Sequence, residues 1–146
     1  MTTLDYRVVP FKRWHVDWLV QAGVSEGGFL QPDQEVLRLL EKMPNSWTMT
    51  LGADPLVCGG TIEMWPGRHQ AWAYLNKSTG RHMGAVTKRA LDVLGRVDGR
   101  IEFTVRKDFE PGHRWAKLMG FGVESPLMKG YDPDGSDHVG YFRLNG

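Results

Sequence analysis

Residues 101–121 read IEFTVRKDFEPGHRWAKLMGF, and two changes of period inside them organise the whole chain. Residues 101–105 predict a strand; after a polar interval, residues 111–119 predict a helix that Gly120 closes from the C′ position. Upstream, Met83, Val86, Ala90, Val93, Leu94 and Val97 recur at helical spacing and predict the longest helix, over 81–97. A short polar loop, 77–80, leads into it. Before that loop lies a three-strand meander. Trp47, Met49 and Leu51 alternate with Thr48 and Thr50. Residues 56–65 form the next strand, with Gly59-Gly60 inside it. Ala71, Ala73 and Leu75 then alternate with Trp72 and Tyr74. Turns at 52–55 and at Pro66-Gly67 separate the three.

The ends complete the pattern. Residues 6–11 predict a short strand stopped by Pro10. Residues 12–22 predict a helix with Trp14, Trp18, Leu19 and Ala22 on one face, broken by Gly23 and Gly27-Gly28. Asp33 is placed as an N-cap for a second short helix carrying Val36, Leu37, Leu40 and Met43 and ending before Pro44. Residues 123–131 and 138–144 predict a terminal strand pair joined by the Asp132-Pro133-Asp134-Gly135 turn. The order is β-α-α-β-β-β-α-β-α-β-β. A meander flowing into a β-α-β-α unit predicts an α/β (α+β) domain over 1–146: a mixed, mostly antiparallel sheet of about seven strands with about four helices.

Composition narrows the function. At 146 residues with 41% hydrophobic and 24% charged content, the chain suits one globular domain. A formal net charge of +1 argues against a nucleic-acid partner held by bulk charge. Nothing approaches the ~18 apolar residues of a membrane span. Cys58 is the single cysteine, so no intrachain disulfide forms, and a reducing, cytoplasmic setting is expected. His15, His69, His82, His113 and His138 show no metal-ligand spacing, and no metal is expected.

This order of elements resembles the GNAT superfamily of N-acyltransferases along nearly the whole chain. The stretch 105–121 carries the most specific likeness: a strand ending in Val105, a polar loop, and a helix closing as Ala116-Lys117-Leu118-Met119-Gly120-Phe121. The family's phosphate-binding turn, Q/R-x-x-G-x-G/A, is matched at Arg81 and Gly84, with Val86 in the last position. The resemblance implies acetyl-CoA or another acyl-CoA as the donor and an amine as the acceptor. It places Leu75 and Asn76 beside the pantetheine arm, and Lys77, Ser78, Thr79, Gly80, Arg81, His82 and Gly84 around the pyrophosphate. The physical expectation behind this is a gap between neighbouring strands just ahead of the Arg81 helix. A helix N-terminus there would favour an anion.

Besides Val86, two positions that matter more depart from the family. Where many members carry a thiolate-protonating tyrosine, this chain has Ala116; where an asparagine often precedes the last helix, it has Phe109. Glu63 and Glu102, in predicted strands, are candidate bases for an incoming amine, with a plain strand-face charge as the other reading. His113, at the start of the last helix, is a candidate substitute acid or else a capping and packing residue. Cys58 reads as a packed thiol rather than a nucleophile. A second, looser resemblance links residues 55–60, the Trp72 strand and His113-Arg114-Trp115 to small GNAT-like proteins of tailed bacteriophages, including an internal virion protein of T7-like phages. It implies a non-catalytic role among phage structural proteins, in the host cytoplasm or the virion, as the competing function.

Overall fold

The computed structural model describes residues 4–21, 33–75 and 77–146. The elements follow the expected order: β1 (Tyr6–Pro10), α1 (Arg13–Gln21), α2 (Gln34–Lys42), β2 (Trp47–Leu51), β3 (Asp54–Trp65) and β4 (Arg68–Leu75). A 3-10 turn (Lys77–His82) then runs into α3 (Met83–Leu94), followed by β5 (Gly99–Arg106), α4 (Glu110–Leu118), β6 (Gly122–Met128) and β7 (His138–Asn145). The strands form one seven-stranded sheet in the order β1-β2-β3-β4-β5-β7-β6. Every neighbouring pair is antiparallel except β4 and β5, which α3 connects in parallel.

Because successive strand residues face opposite sides, the sheet carries two cores. Val57, Ile101, Val105 and Tyr141 pack with Val86, Ala90 and Leu94 of α3 and Ala116 of α4. On the other face Cys58, Trp72 and Tyr74 pack with Val16 and Leu19 of α1 and Leu37 and Leu40 of α2. Asp33 caps α2 as expected, its carboxylate accepting from the Glu35 N–H at 2.8 Å. Gly120 closes α4 at φ +84°, a conformation that favours glycine.

Three readings are corrected. The buried face of α1 is His15, Val16 and Leu19, whereas Trp14 is 53% exposed. The helix is turned by His15, whose Nδ1 is shared between the Lys12 N–H and the Thr48 hydroxyl. Trp14 instead packs edge-on against that imidazole; Ala22 lies outside the described residues. The polar loop at 77–80 is wound into the 3-10 turn, so helical structure begins at Lys77 rather than Arg81 and ends at Leu94 rather than Val97. The first strand of the terminal pair stops at Met128.

The feature that shapes the site is where β4 and β5 stop pairing. They meet at Arg68↔Arg100, His69↔Ile101 and Gln70↔Glu102, and no further, although β4 runs on to Leu75 and β5 to Arg106. Each strand is held by its other neighbour. β4 stays in register with β3 as far as Val57↔Leu75, and β5 with β7 as far as Arg106↔His138. The twist that accumulates between adjacent strands then separates them.

Candidate functional site

Above the parting strands lies a cavity of about 680 Å³. Ala71, Ala73 and Leu75 line it from β4, and Phe103 and Val105 from β5. Met83 and Thr87 of α3 and Phe109, Arg114 and Trp115 at α4 form the other walls. Its size and apolar walls suit a site that swallows an extended, mostly apolar ligand arm. The Trp115 indole N–H donates to the Thr87 hydroxyl at 2.8 Å and ties α4 to α3. A β-carbon added at Gly80 or Gly84 would meet nothing within 4 Å, so the backbone of both lining glycines is open to an approaching group.

Leu75, Thr79, Gly80 and Gly84 of the expected cofactor set line this cavity. Thr79 is buried, and its hydroxyl donates to the Leu56 carbonyl at 2.8 Å, which pins the 3-10 turn to β3. Arg81 is exposed. His82 is turned towards β1, its Nδ1 2.5 Å from the Tyr6 hydroxyl. Lys77 and Ser78 open the 3-10 turn; Asn76 lies outside the described residues. A helical start leaves its first N–H groups without partners inside the helix. With the turn wound from Lys77, that start sits about one turn earlier than the sequence places it.

None of the three expected catalytic side chains lines the cavity. Glu63 is exposed, opposite His69 and beside a bulge in the β3–β4 ladder. Glu102 sits at the last β4–β5 pair, bonded to Arg68 and to Arg100. The Arg68 guanidinium first, then Arg100, holds its carboxyl below the usual range, and a carboxylate so paired is a weak base. His113 is buried with both nitrogens engaged: Nδ1 lies 2.6 Å from the Tyr141 hydroxyl, and Nε2 lies 2.9 Å from the Lys107 carbonyl. The packing reading describes it. Tyr141→Phe should leave that buried nitrogen without a partner and cost ~1–3 kcal/mol. The check is a lower urea midpoint with an unchanged m value.

Arg114 is the one ionisable side chain among the described lining residues. The cavity also has a wall residue that sequence reasoning missed, Thr104, whose hydroxyl lies 2.9 Å from His138 Nδ1. Thr104 and His138 are polar residues at strand positions, and the strand pattern singled out neither as part of a site. Cys58 is fully buried; burial pushes its thiol up to about 12, against a weaker opposing hydrogen bond from Thr48, as a packed thiol requires. Among the described residues no cluster of His, Cys, Asp or Glu is arranged to hold a metal, and no helix is long and apolar enough to cross a membrane.

No family model and no curated protein matches the sequence. The solved structures do. The Ard1 protein of Thermoplasma volcanium superposes with a TM-score of 0.75 at 14% identity, covering 97% of this chain and 98% of that one. The ribosomal-protein-S18-alanine N-acetyltransferase of Escherichia coli gives 0.69 at 11% identity, covering 94% and 92%. A GNAT-family acetyltransferase of Bacillus anthracis gives 0.67 at 12% identity, covering 95% and 94%. At such identities the likeness is one of architecture, and it runs over 94–97% of the chain: the splayed mixed sheet with its four α-helices among the described residues is the GNAT fold.

Proposed function

We propose that this protein is an acyl-CoA-dependent N-acyltransferase that takes acetyl-CoA, or another acyl-CoA, into the β4–β5 cleft and passes the acyl group to an amine. The observation that carries this reading is the early end of the β4–β5 ladder beneath an open apolar cavity. A parallel pair within a sheet normally zips along its shared length. Here the inner edges of 71–75 and 103–106 face a cleft instead of each other, and a pantetheine arm bonds to backbone in the manner of an added strand. Leu75 and Asn76 hold that arm in this reading, and the segment 77–84 receives the pyrophosphate, with Arg81 exposed beside it. The thioester supplies an activated acyl group; the chain supplies alignment and exclusion of water. Alignment alone is worth effective molarities of ~10⁵–10⁸ M, more than the ~10²–10⁴-fold of one acid or base. Ala116 in place of an acid is therefore compatible with turnover.

A thermal-shift series with CoA and acetyl-CoA tests the binding step. Ligand at about a hundred times its Kd is expected to add ~2.7 kcal/mol, a rise in Tm of several degrees; a flat response at millimolar ligand rejects the proposal. Acyl transfer to a panel of primary amines, followed by thiol release, tests the chemistry.

Binding without turnover is the second reading, favoured by the lack of a carboxylate, tyrosine or histidine among the described lining residues. A GNAT-like phage protein of that kind would work through its surface among virion proteins. Trp65, 56% exposed with the Arg68 guanidinium 4.4 Å from its ring centre, is the natural contact. Saturable CoA binding with no transfer to any amine is its signature.

A further inference from the structure

Phe103 and Val105 turn to the core under α3 and α4, so Thr104 between them belongs to the opposite face of β5. It is half-buried and lines the cavity where β4 has left β5, so it stands on the rim of an opening through the sheet. Its hydroxyl meets His138, the first residue of β7, which is 2% exposed. The other imidazole nitrogen, Nε2, is buried without a hydrogen-bond partner among the described residues, and it lies 3.8 Å from Asp132 Oδ1. A buried, orphaned nitrogen is costly, and a function is one reason a fold keeps it. Asp132 is itself fixed within the β6–β7 turn, where its carbonyl accepts from the Gly135 N–H at 2.8 Å. His113 offers the contrast, since both of its nitrogens are satisfied and neither faces the opening.

We propose that Thr104 takes the proton from the acceptor amine, passing its own hydroxyl proton to His138, whose cation the neighbouring Asp132 carboxylate stabilises. The inference rests on the acyltransferase reading above. In the step, the amine nitrogen attacks the thioester carbonyl carbon, a C–N bond forms, the C–S bond breaks and CoA leaves as the thiolate. The proton shed by nitrogen goes to Thr104 Oγ1 while the threonine proton moves to His138 Nδ1. The imidazolium then returns its proton to the thiolate or to water. This needs a neutral imidazole carrying its hydrogen on Nε2, with Asp132 Oδ1 3.8 Å away to favour the imidazolium by charge. The charged and titratable groups around His138 are Asp132 and Asp134 of the turn, Arg106 paired opposite it on β5, and Tyr131, whose ring centre is 5.2 Å away. Burial outweighs the two carboxylates and, with Arg106, keeps the imidazole below its ordinary range, so it is neutral near pH 7. Thr104 is the catalytic residue, His138 acts through it as the proton acceptor, and Asp132 is a positioning residue.

The test needs no knowledge of the natural amine. Thr104→Cys puts a thiol in the place of the relay hydroxyl, against His138 Nδ1 and beside the path of the amine, where it serves as a surrogate nucleophile. Incubated with acetyl-CoA, that thiol is expected to become acetylated, read by intact-protein and peptide mass spectrometry, since Cys58 is buried and unreactive. Adding His138→Gln should slow acetylation ~10²-fold and slow alkylation of the same thiol by iodoacetamide, a readout that needs no CoA. Lowering the pH through the His138 titration should suppress both reactions in Thr104→Cys, and this acid limb should vanish in the double variant. Saturable CoA stabilisation without acetylation, or with acetylation indifferent to His138, overturns the relay and leaves the acyltransferase reading standing. Absence of any CoA response overturns both.

Discussion

Ala73→Phe is expected to keep the protein folded while abolishing its stabilisation by CoA. Ala73 lies opposite Gly59 in the β3–β4 ladder, and its side of β4 lines the cavity between the parting strands. A phenyl ring added there enters open space bounded by apolar side chains, so the usual ~1–3 kcal/mol penalty of overpacking does not apply in full. The new ring also gains burial, so the unliganded Tm should hold or rise. The same ring occupies the route proposed for the pantetheine arm. A loss of at least ~100-fold in CoA affinity follows, about 2.7 kcal/mol, enough to erase the shift expected of the parent protein. Ala73→Ser, which adds one atom, should bind CoA nearly as the parent does. Calorimetric titration of the three proteins decides the matter, and undiminished CoA binding by Ala73→Phe would place the ligand elsewhere.

Gly99→Ala should be the most destabilising single-methyl change at the strand vertex. Gly99 opens β5 at φ +94°, where side chains are strained, and an added β-carbon would lie 2.5 Å from the Gly67 carbonyl oxygen. That oxygen cannot withdraw, because it accepts the Arg100 N–H at 2.8 Å and so joins the β3–β4 turn to β5. Backbone strain of ~1–3 kcal/mol and a comparable clash together predict a loss of about 3 kcal/mol or more. For a domain of this size that is a fall in Tm of about 10 °C. Gly120→Ala separates the two causes: its φ is +84°, but nothing lies within 4 Å of the added carbon, so only the backbone cost of ~1 kcal/mol should appear. Equal losses at both glycines would show that the close approach to Gly67 contributes nothing. The vertex also sets where the cleft begins, so a loosened Gly99 variant should bind CoA more weakly at temperatures where it is still folded.

These expectations draw on different depths of the sequence. The order of elements was legible because each strand and helix carries its own period. Trp47 to Leu51 alternates, the α3 stretch repeats every three or four residues, and Asp33 and Gly120 punctuate helices through local backbone chemistry. The expected gap beside Leu75 was legible only through resemblance, since nothing in β4 or β5 alone says where their pairing ends. It ends because β3 and β7 pull from outside, a balance between distant segments. Trp14 was misread for a related reason. Its size suggests burial, but the helix is oriented by the hydrogen bonds of its neighbour His15. The carboxylates were harder still. Glu102 looks like a base until Arg68 and Arg100 are folded onto it, thirty-four residues and two residues away. Thr104 and His138 carry no motif at all; they meet because β5 and β7 lie side by side.

The sealed position of Cys58 gives the protein a built-in clock for its own opening. With one sulfhydryl in the whole chain, shut between Thr48 and the layer of α1 and α2, a thiol reagent can modify the native protein only when that layer lifts from the sheet. Labelling rates in increasing denaturant would then time the breathing of the α1–α2 layer, with no engineered probe. Because Trp72, packed against that same layer, also lines the cleft, slower labelling in the presence of CoA would mean that a filled cleft steadies the layer above Cys58.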